Sequence, residues 1–385
     1  STARCSMAQA APGSRVRPHA PHVVSEVVVQ LAMEHLAVDF PAQTDCDENG
    51  DCLSPLNNFN AFCRQSSTAD SRATMQTTSR AHSDWLYPEP SQTMLFLDWD
   101  DTLFPTTEFF DQWGLEHTQP LCLERLDKER QRDVQEWQKS LKEYMQQACC
   151  LSECVVIVTN SRRPWVSDCI ERFAPELGEV FDRTERAPRV VYARECLKPS
   201  RREQSAQMYP TRRRSNVDHT PPSEEEMTEE MTKAKFAAMK QEAELFYMRY
   251  PGQSWKNILS CGDMRYEHFA VQELSYKRVP VGKERFRTKS LLLPLEPTVS
   301  ELALRLQFCK LMLPAYIFYD GDFEVDLQSA PVPLTAVADA LRLPALAKLP
   351  FSDHAWGRAP RPESEEEVHQ SLANLAIIVH ESLFD

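Results

Sequence analysis

The chain has 385 residues, 42% of them hydrophobic and 26% charged, with a formal net charge of -14. That length and balance suit one or two domains with a full apolar core, and no apolar run approaches the roughly 20 residues that span a bilayer. The acidic balance argues against a general binder of nucleic acid or anionic membrane.

Twelve cysteines are scattered along the chain with no C-x-x-C pair. This speaks against a structural zinc site and fits reduced thiols in a cytoplasmic or nuclear setting. The first thirty residues lack the charged, apolar and small regions of a secretory signal. The first residue is Ser1 rather than Met, which leaves open that the sequence is a fragment.

In chain order, residues 1–92 read as a mostly disordered leader. One helix is expected within it, over 23–40, from the spacing of Val27, Leu31, Met33, Leu36 and Val38. Asp45-Cys46-Asp47-Glu48-Asn49-Gly50-Asp51 resembles the front of an EF-hand loop. Its twelfth position is Leu56, where a bidentate Glu is needed, so a solvated turn is expected instead.

Order sets in near residue 93. Met94-Leu95-Phe96-Leu97 is continuously apolar, as in a strand buried on both faces. The pattern recurs at 155–158, 189–192, 257–260 and 291–293. Helical spacing fills the gaps at 123–148, 165–173, 223–250 and 299–313, the third opening on a capping box of Ser223 and Glu226. Strands alternating with helices predict an α/β fold, a Rossmann-like three-layer sandwich around a central parallel sheet. The ordered domain is placed at 93–327. Residues 198–222, with Arg212-Arg213-Arg214, read as a flexible insertion, and 328–385 as an irregular tail with a terminal helix.

The chemistry sits at strand ends, where open parallel sheets bind ligands. Asp98-Trp99-Asp100-Asp101-Thr102 follows the first strand directly. Two carboxylates there raise the proton affinity of at least one, and a divalent cation would neutralise the ionised one. One acid can then attack while the other gives and takes a proton. The second strand ends in Thr159-Asn160-Ser161, where a hydroxyl beside exposed backbone N–H groups suits a phosphate oxygen; taken alone, an N-cap for the next helix is the favoured reading. The run 257–260 leads into Cys261-Gly262-Asp263, with Glu267 four residues on, near enough to help hold the same cation.

In their order along the chain these segments resemble the motifs of the haloacid dehalogenase-like superfamily. The first, an apolar strand and D-x-D-x-T, is matched at Asp98, Asp100 and Thr102. The second is matched at Thr159, and the fourth at Gly262, Asp263 and Glu267. The surrounding wording, LFLDWDDTLFPT, VVIVTNSRRPWV and NILSCGD, looks like that of a set of protist and algal proteins, over about residues 93–320. The third motif is a lysine; Lys235 fits best, with Lys233 and Lys198 as alternatives.

The resemblance implies a phosphatase in which Asp98 is the nucleophile and Asp100 the acid and base. Thr159, Asn160 and Lys235 would hold the phosphoryl oxygens. Mg²⁺ would be bound by Asp98, the Asp100 carbonyl and Asp263, with Glu267 in support, and Thr102 would brace the turn. Little sequence is left for a cap over the strand ends, so a phosphorylated substrate as large as a phosphoprotein is expected to fit. Two alternatives stay open: a phosphotransferase or mutase on the same site, and a non-catalytic binding protein of the same fold.

Overall fold

The computed structural model describes residues 86–183, 186–197, 223–249, 255–277, 285–357 and 366–384. The helix expected at 23–40, the acidic loop at 45–56 and the insertion at 198–222 lie outside them.

Six strands pair in parallel: β1 Thr93–Leu97, β2 Cys154–Thr159, β3 Arg189–Tyr192, β4 Asn257–Gly262, β5 Arg287–Leu292 and β6 Phe323–Asp326. Their order is β3-β2-β1-β4-β5-β6. β1 is buried along its whole length because both of its faces are covered. Leu95 and Leu97 point into one apolar layer, Met94 and Phe96 into the other. This is the three-layer α/β sandwich that the apolar runs predict.

On the first face lie α1 Lys128–Leu151 and α2 Trp165–Phe173; on the second lie α3 Glu224–Tyr247 and α4 Arg265–Lys277. Asp127 caps α1 by accepting from the Arg130 N–H at 2.9 Å, which moves the helix start past 123, where only a 3-10 turn forms. The Ser223–Glu226 capping box is present on α3, with bonds of 2.9 and 3.1 Å.

Two strands run beyond their apolar letters. β5 begins at Arg287, four residues before the run at 291–293, because its cations find partners on being buried. The Lys289 ammonium donates to the Ile317 carbonyl at 2.8 Å, and Arg287 to Asp320 at 2.6 Å. β6 reads Phe-Glu-Val-Asp, with Phe323 and Val325 buried and Glu324 exposed, so it lacks the continuous apolar run by which the other strands are read.

Helix α5, Val299–Phe318, also outruns its expected end at 313. It continues through Pro314, because burying Tyr316 and Ile317 offsets the one backbone bond that proline removes. It packs on the first face, against α1, and not beside α4. β4→α4→β5 and β5→α5→β6 step sideways in the same direction but over opposite faces. The last crossover therefore has the opposite hand to the one before it, against the strong preference for one hand in parallel sheets.

The tail beyond residue 327 forms α6 Pro333–Leu341, a turn at Pro344–Ala347 and α7 Glu366–Phe384. Leu334, Leu346, Trp356 and Leu375 belong to the same buried layer as α1 and α5. Between β1 and α1 there is one π-helical turn, Glu108–Gln112, and one 3-10 turn, so among the described residues no cap domain stands over the strand ends. No helix among them is long and apolar enough to cross a membrane.

Candidate active site

The chain runs outward from β1 to β3 and then returns to lay β4 against the other side of β1. The carboxyl ends of β1 and β4 therefore flank the point where the strand order reverses, the place where such sheets leave a crevice. Asp98 follows β1 and Asp263 follows β4. The Asp98 N–H donates to the Cys261 carbonyl at 2.9 Å, which locks the two ends in register.

The turn after β1 is tight. The N–H groups of Leu103 and Phe104 both donate to the Trp99 carbonyl at 2.9 Å, and that of Asp101 to the Phe104 carbonyl at 2.8 Å. Asp101 takes a left-handed φ of 52°, a conformation that Asp tolerates better than most residues. Its carboxylate receives the Thr107 N–H at 3.0 Å and hydroxyl at 2.5 Å.

Lys235 is fully buried, twelfth in α3. The helix begins well past the sheet: its first ten residues are exposed or half-buried, and full burial starts at Ala234. That overhang brings a mid-helix lysine to the strand ends. Its ammonium lies 2.5 Å from Asp98 and 2.8 Å from Glu267, and donates to the Val158 carbonyl. Lys233 points outward and pairs with Glu229 at 2.6 Å. Lys198 lies outside the described residues.

Asp98, Asp263 and Glu267 each offer an oxygen within 4.8 Å of the others, and all three are buried. Three carboxylates and one ammonium carry a formal charge of -2 when all are ionised. Gly262 makes this closeness possible: a Cβ there would sit 2.7 Å from Glu267 Cγ. Burial pushes all three acids above their ordinary range. Lys235 opposes this at Asp98 and at Glu267, which still reaches about 8, while Asp98, Glu267 and Asp101 add to it at Asp263. Burial alone would lower Lys235, but Asp98 and Glu267 outweigh it and hold the ammonium above its usual value. Three buried carboxylates that converge their oxygens could hold a hard divalent cation, which would displace the protons that burial favours.

No family model, curated protein or solved structure matches this chain. What the site can do therefore rests on its own geometry.

Asp100 is held by four donors. Thr106 Oγ1 at 2.7 Å and Trp165 Nε1 at 2.8 Å bind Oδ1; Ser161 Oγ at 2.8 Å and Thr159 Oγ1 at 3.2 Å bind Oδ2. Thr159 also accepts the Ser161 N–H at 2.9 Å, so one hydroxyl links the end of β2 to the turn after β1. Asn160 is half-buried beside it, and its amide oxygen and nitrogen have no hydrogen-bond partner among the described residues. Thr102 is buried and donates to Asp263 Oδ1 at 3.3 Å, tying the turn to the acidic cluster. Seven residues singled out by sequence thus gather at adjoining strand ends: Asp98, Asp100, Thr102, Thr159, Lys235, Asp263 and Glu267.

Sequence reasoning did not assign Thr106, Ser161, Trp165 or Gln328. Ser161 and Thr106 lie close enough to the motifs to be suspected, and Trp165 opens α2. Gln328 carried no signal. Its amide donates to the carbonyls of Asp263 and, at 2.8 Å, Leu293, a contact set by β6, which ends two residues earlier at the same rim of the sheet.

Proposed function

We propose that the chain is a Mg²⁺-dependent phosphohydrolase of the haloacid dehalogenase-like superfamily. The observation that carries this reading is the buried Lys235 ammonium, wedged between Asp98 and Glu267 beside Asp263. A lysine so placed fixes the rotamer of Asp98 and offers positive charge next to it.

In this reading Asp98 attacks phosphorus in line and becomes an aspartyl-phosphate, the leaving oxygen departing on the opposite side. Asp100, aimed by its four donors, delivers a proton to that oxygen and then takes one from the attacking water. Thr159, Asn160 and Lys235 would bind the phosphoryl oxygens: the free amide of Asn160 supplies donors directly, while the Thr159 hydroxyl and one Lys235 N–H would first turn away from their present acceptors. Asp98, Asp263 and Glu267, with the Asp100 carbonyl, would hold the cation, whose charge stabilises the developing negative charge. Oxygen-only ligands favour Mg²⁺ over zinc. The absence of a cap domain among the described residues suits a large substrate such as a phosphoprotein.

The test is hydrolysis of a generic aryl phosphate with and without MgCl₂. Wild type should turn over only with the cation, and Asp98→Asn should lose about 10³-fold or more, as expected when the attacking group is removed. Equal rates for the two proteins would refute the assignment.

A further inference from the structure

A cleft of about 930 Å³ lies between α4 and the β5–β6 margin of the sheet, lined by none of the residues of the Asp98 site. Its origin is the reversed crossover. Because α5 packs on the first face, no described helix covers β6 on the second. The strand sequences agree with one-sided cover. In β6, Phe323 and Val325 are buried while Glu324 is exposed. Ser290 stands opposite Glu324 in register, and Thr288 faces the same way two residues earlier on β5.

The walls carry a particular chemistry. On α4, Phe269 is 42% and Tyr276 90% exposed. Opposite them stand Asp322 and Glu324, both exposed, with no Lys or Arg among the lining residues; Asp322 Oδ1 accepts the Thr288 N–H at 2.8 Å, which aims this carboxylate from the sheet edge. Glu273, also on the wall, is paired with Lys277. Glu324 faces the His268 ring at 3.7 Å, and His268 is tied to Ser290 at 2.8 Å. Among the described residues the acids that converge as metal ligands are Asp98, Asp263 and Glu267, so the carboxylates of the cleft do not form a cation site.

We propose that this cleft docks a short arginine- or lysine-containing segment of a partner protein. Guanidinium or ammonium groups would meet Asp322 and Glu324, and their stems and planes would lie on Tyr276 and Phe269. The volume is right for several side chains. The docking is independent of the chemistry at Asp98. It does involve α4, the helix that carries Glu267, so a bound segment touches the same rigid element as the site.

The experiment is an anisotropy titration of the full chain with a labelled Arg/Lys-rich peptide and with its counterpart carrying Glu at the basic positions. The basic peptide binds. The double variant Asp322→Asn/Glu324→Gln and the single variant Tyr276→Ala each weaken it by about tenfold or more, while Glu366→Gln/Glu367→Gln, the same charge change on α7, leaves it within about twofold. All of these positions are exposed, and Asp322→Asn keeps an oxygen to accept the Thr288 N–H; unchanged urea unfolding midpoints check that the variants fold. Equal losses in the cleft and control variants would reduce the effect to diffuse attraction by an acidic chain and overturn the proposal, as would equal binding of the two peptides. Tighter peptide binding by an Arg212→Ala/Arg213→Ala/Arg214→Ala chain would assign the cleft to this chain's own basic run. Self-association abolished by the cleft variants would assign it to a second copy. Either result also overturns the partner proposal.

Discussion

At the residue scale the site is a balance of buried charge. Removing Lys235 leaves Asp98 and Glu267 without their cation, the situation in which breaking a buried pair is costly. Lys235→Met should lose about 3–5 kcal/mol in urea unfolding. A loss under about 1 kcal/mol would mean that the ammonium does not neutralise these acids. Glu267 gives a pH signature. Its carboxyl rises from an ordinary 4.5 to about 8 on folding, so between those values the unfolded chain binds fewer protons than the folded one. Stability from this group therefore falls as pH rises from about 4.5 to about 8, and the raised Asp98 and Asp263 act in the same direction. Without divalent cation, Glu267→Gln should gain on wild type in melting temperature across that window. MgCl₂ should reverse the ranking by stabilising wild type through the ionised cluster. A difference that stays flat with pH would remove Glu267 from the buried cluster.

At the element scale the decisive feature is how far each helix overhangs the sheet. α3 reaches past the strand ends on a run anchored by its capping box, so Ser223→Ala should cost about 1 kcal/mol, read as a shift in the denaturation midpoint. The loss lies in helix-end order, so the intact Lys235 contact is expected to keep hydrolysis near wild type. The turn from β4 into α4 is less tolerant. Gly262→Ala places a Cβ against Glu267 Cγ at 2.7 Å, and the fold cannot absorb that without moving Glu267. Calorimetry should find Mg²⁺ binding weakened by about tenfold or more, since a misplaced ligand costs over 1.4 kcal/mol. Unchanged affinity would show that Glu267 does not support the cation.

At the scale of the whole molecule the tail is part of the core. Gly357 sits at a φ of 73°, and a Cβ there would meet the Glu301 carbonyl at 2.4 Å and the Arg305 nitrogen at 2.7 Å. Arg305, fully buried, donates to the carbonyls of Pro294 and Gly357 at 2.7 and 3.3 Å. Trp356 packs edge-on against Phe308, ring centroids 5.0 Å apart. Gly357→Ala should therefore cost about 2 kcal/mol or more, from strained backbone and a steric clash. Deleting residues 328–385 should leave a chain that no longer unfolds cooperatively, monitored by near-ultraviolet circular dichroism. A sharp transition in the truncated chain would show that α1 and α5 need no cover from the tail.

The sequence alone determined the parallel sheet, because a strand buried on both faces reads as an apolar run, unbroken at 94–97 in β1 and 154–158 in β2 and interrupted by Ser260 in β4. It also determined the acids at their ends, since Asp98, Asp100 and Asp263 follow those runs directly and strand direction sends them to one rim. Tertiary structure decided the rest. Periodicity cannot tell Lys235 from Lys233 at a site, because that depends on how far α3 overhangs the sheet. The hidden extent of β5 rests on partners for Arg287 and Lys289 that arrive from Asp320 and Ile317. Gln328 reaches Asp263 because β6 pairs in parallel beside β5 and ends at the same rim. The cleft at β6 exists because α5 chose the other face. Each of these depends on where one element lies against another, a relation that local spacing along a chain does not encode.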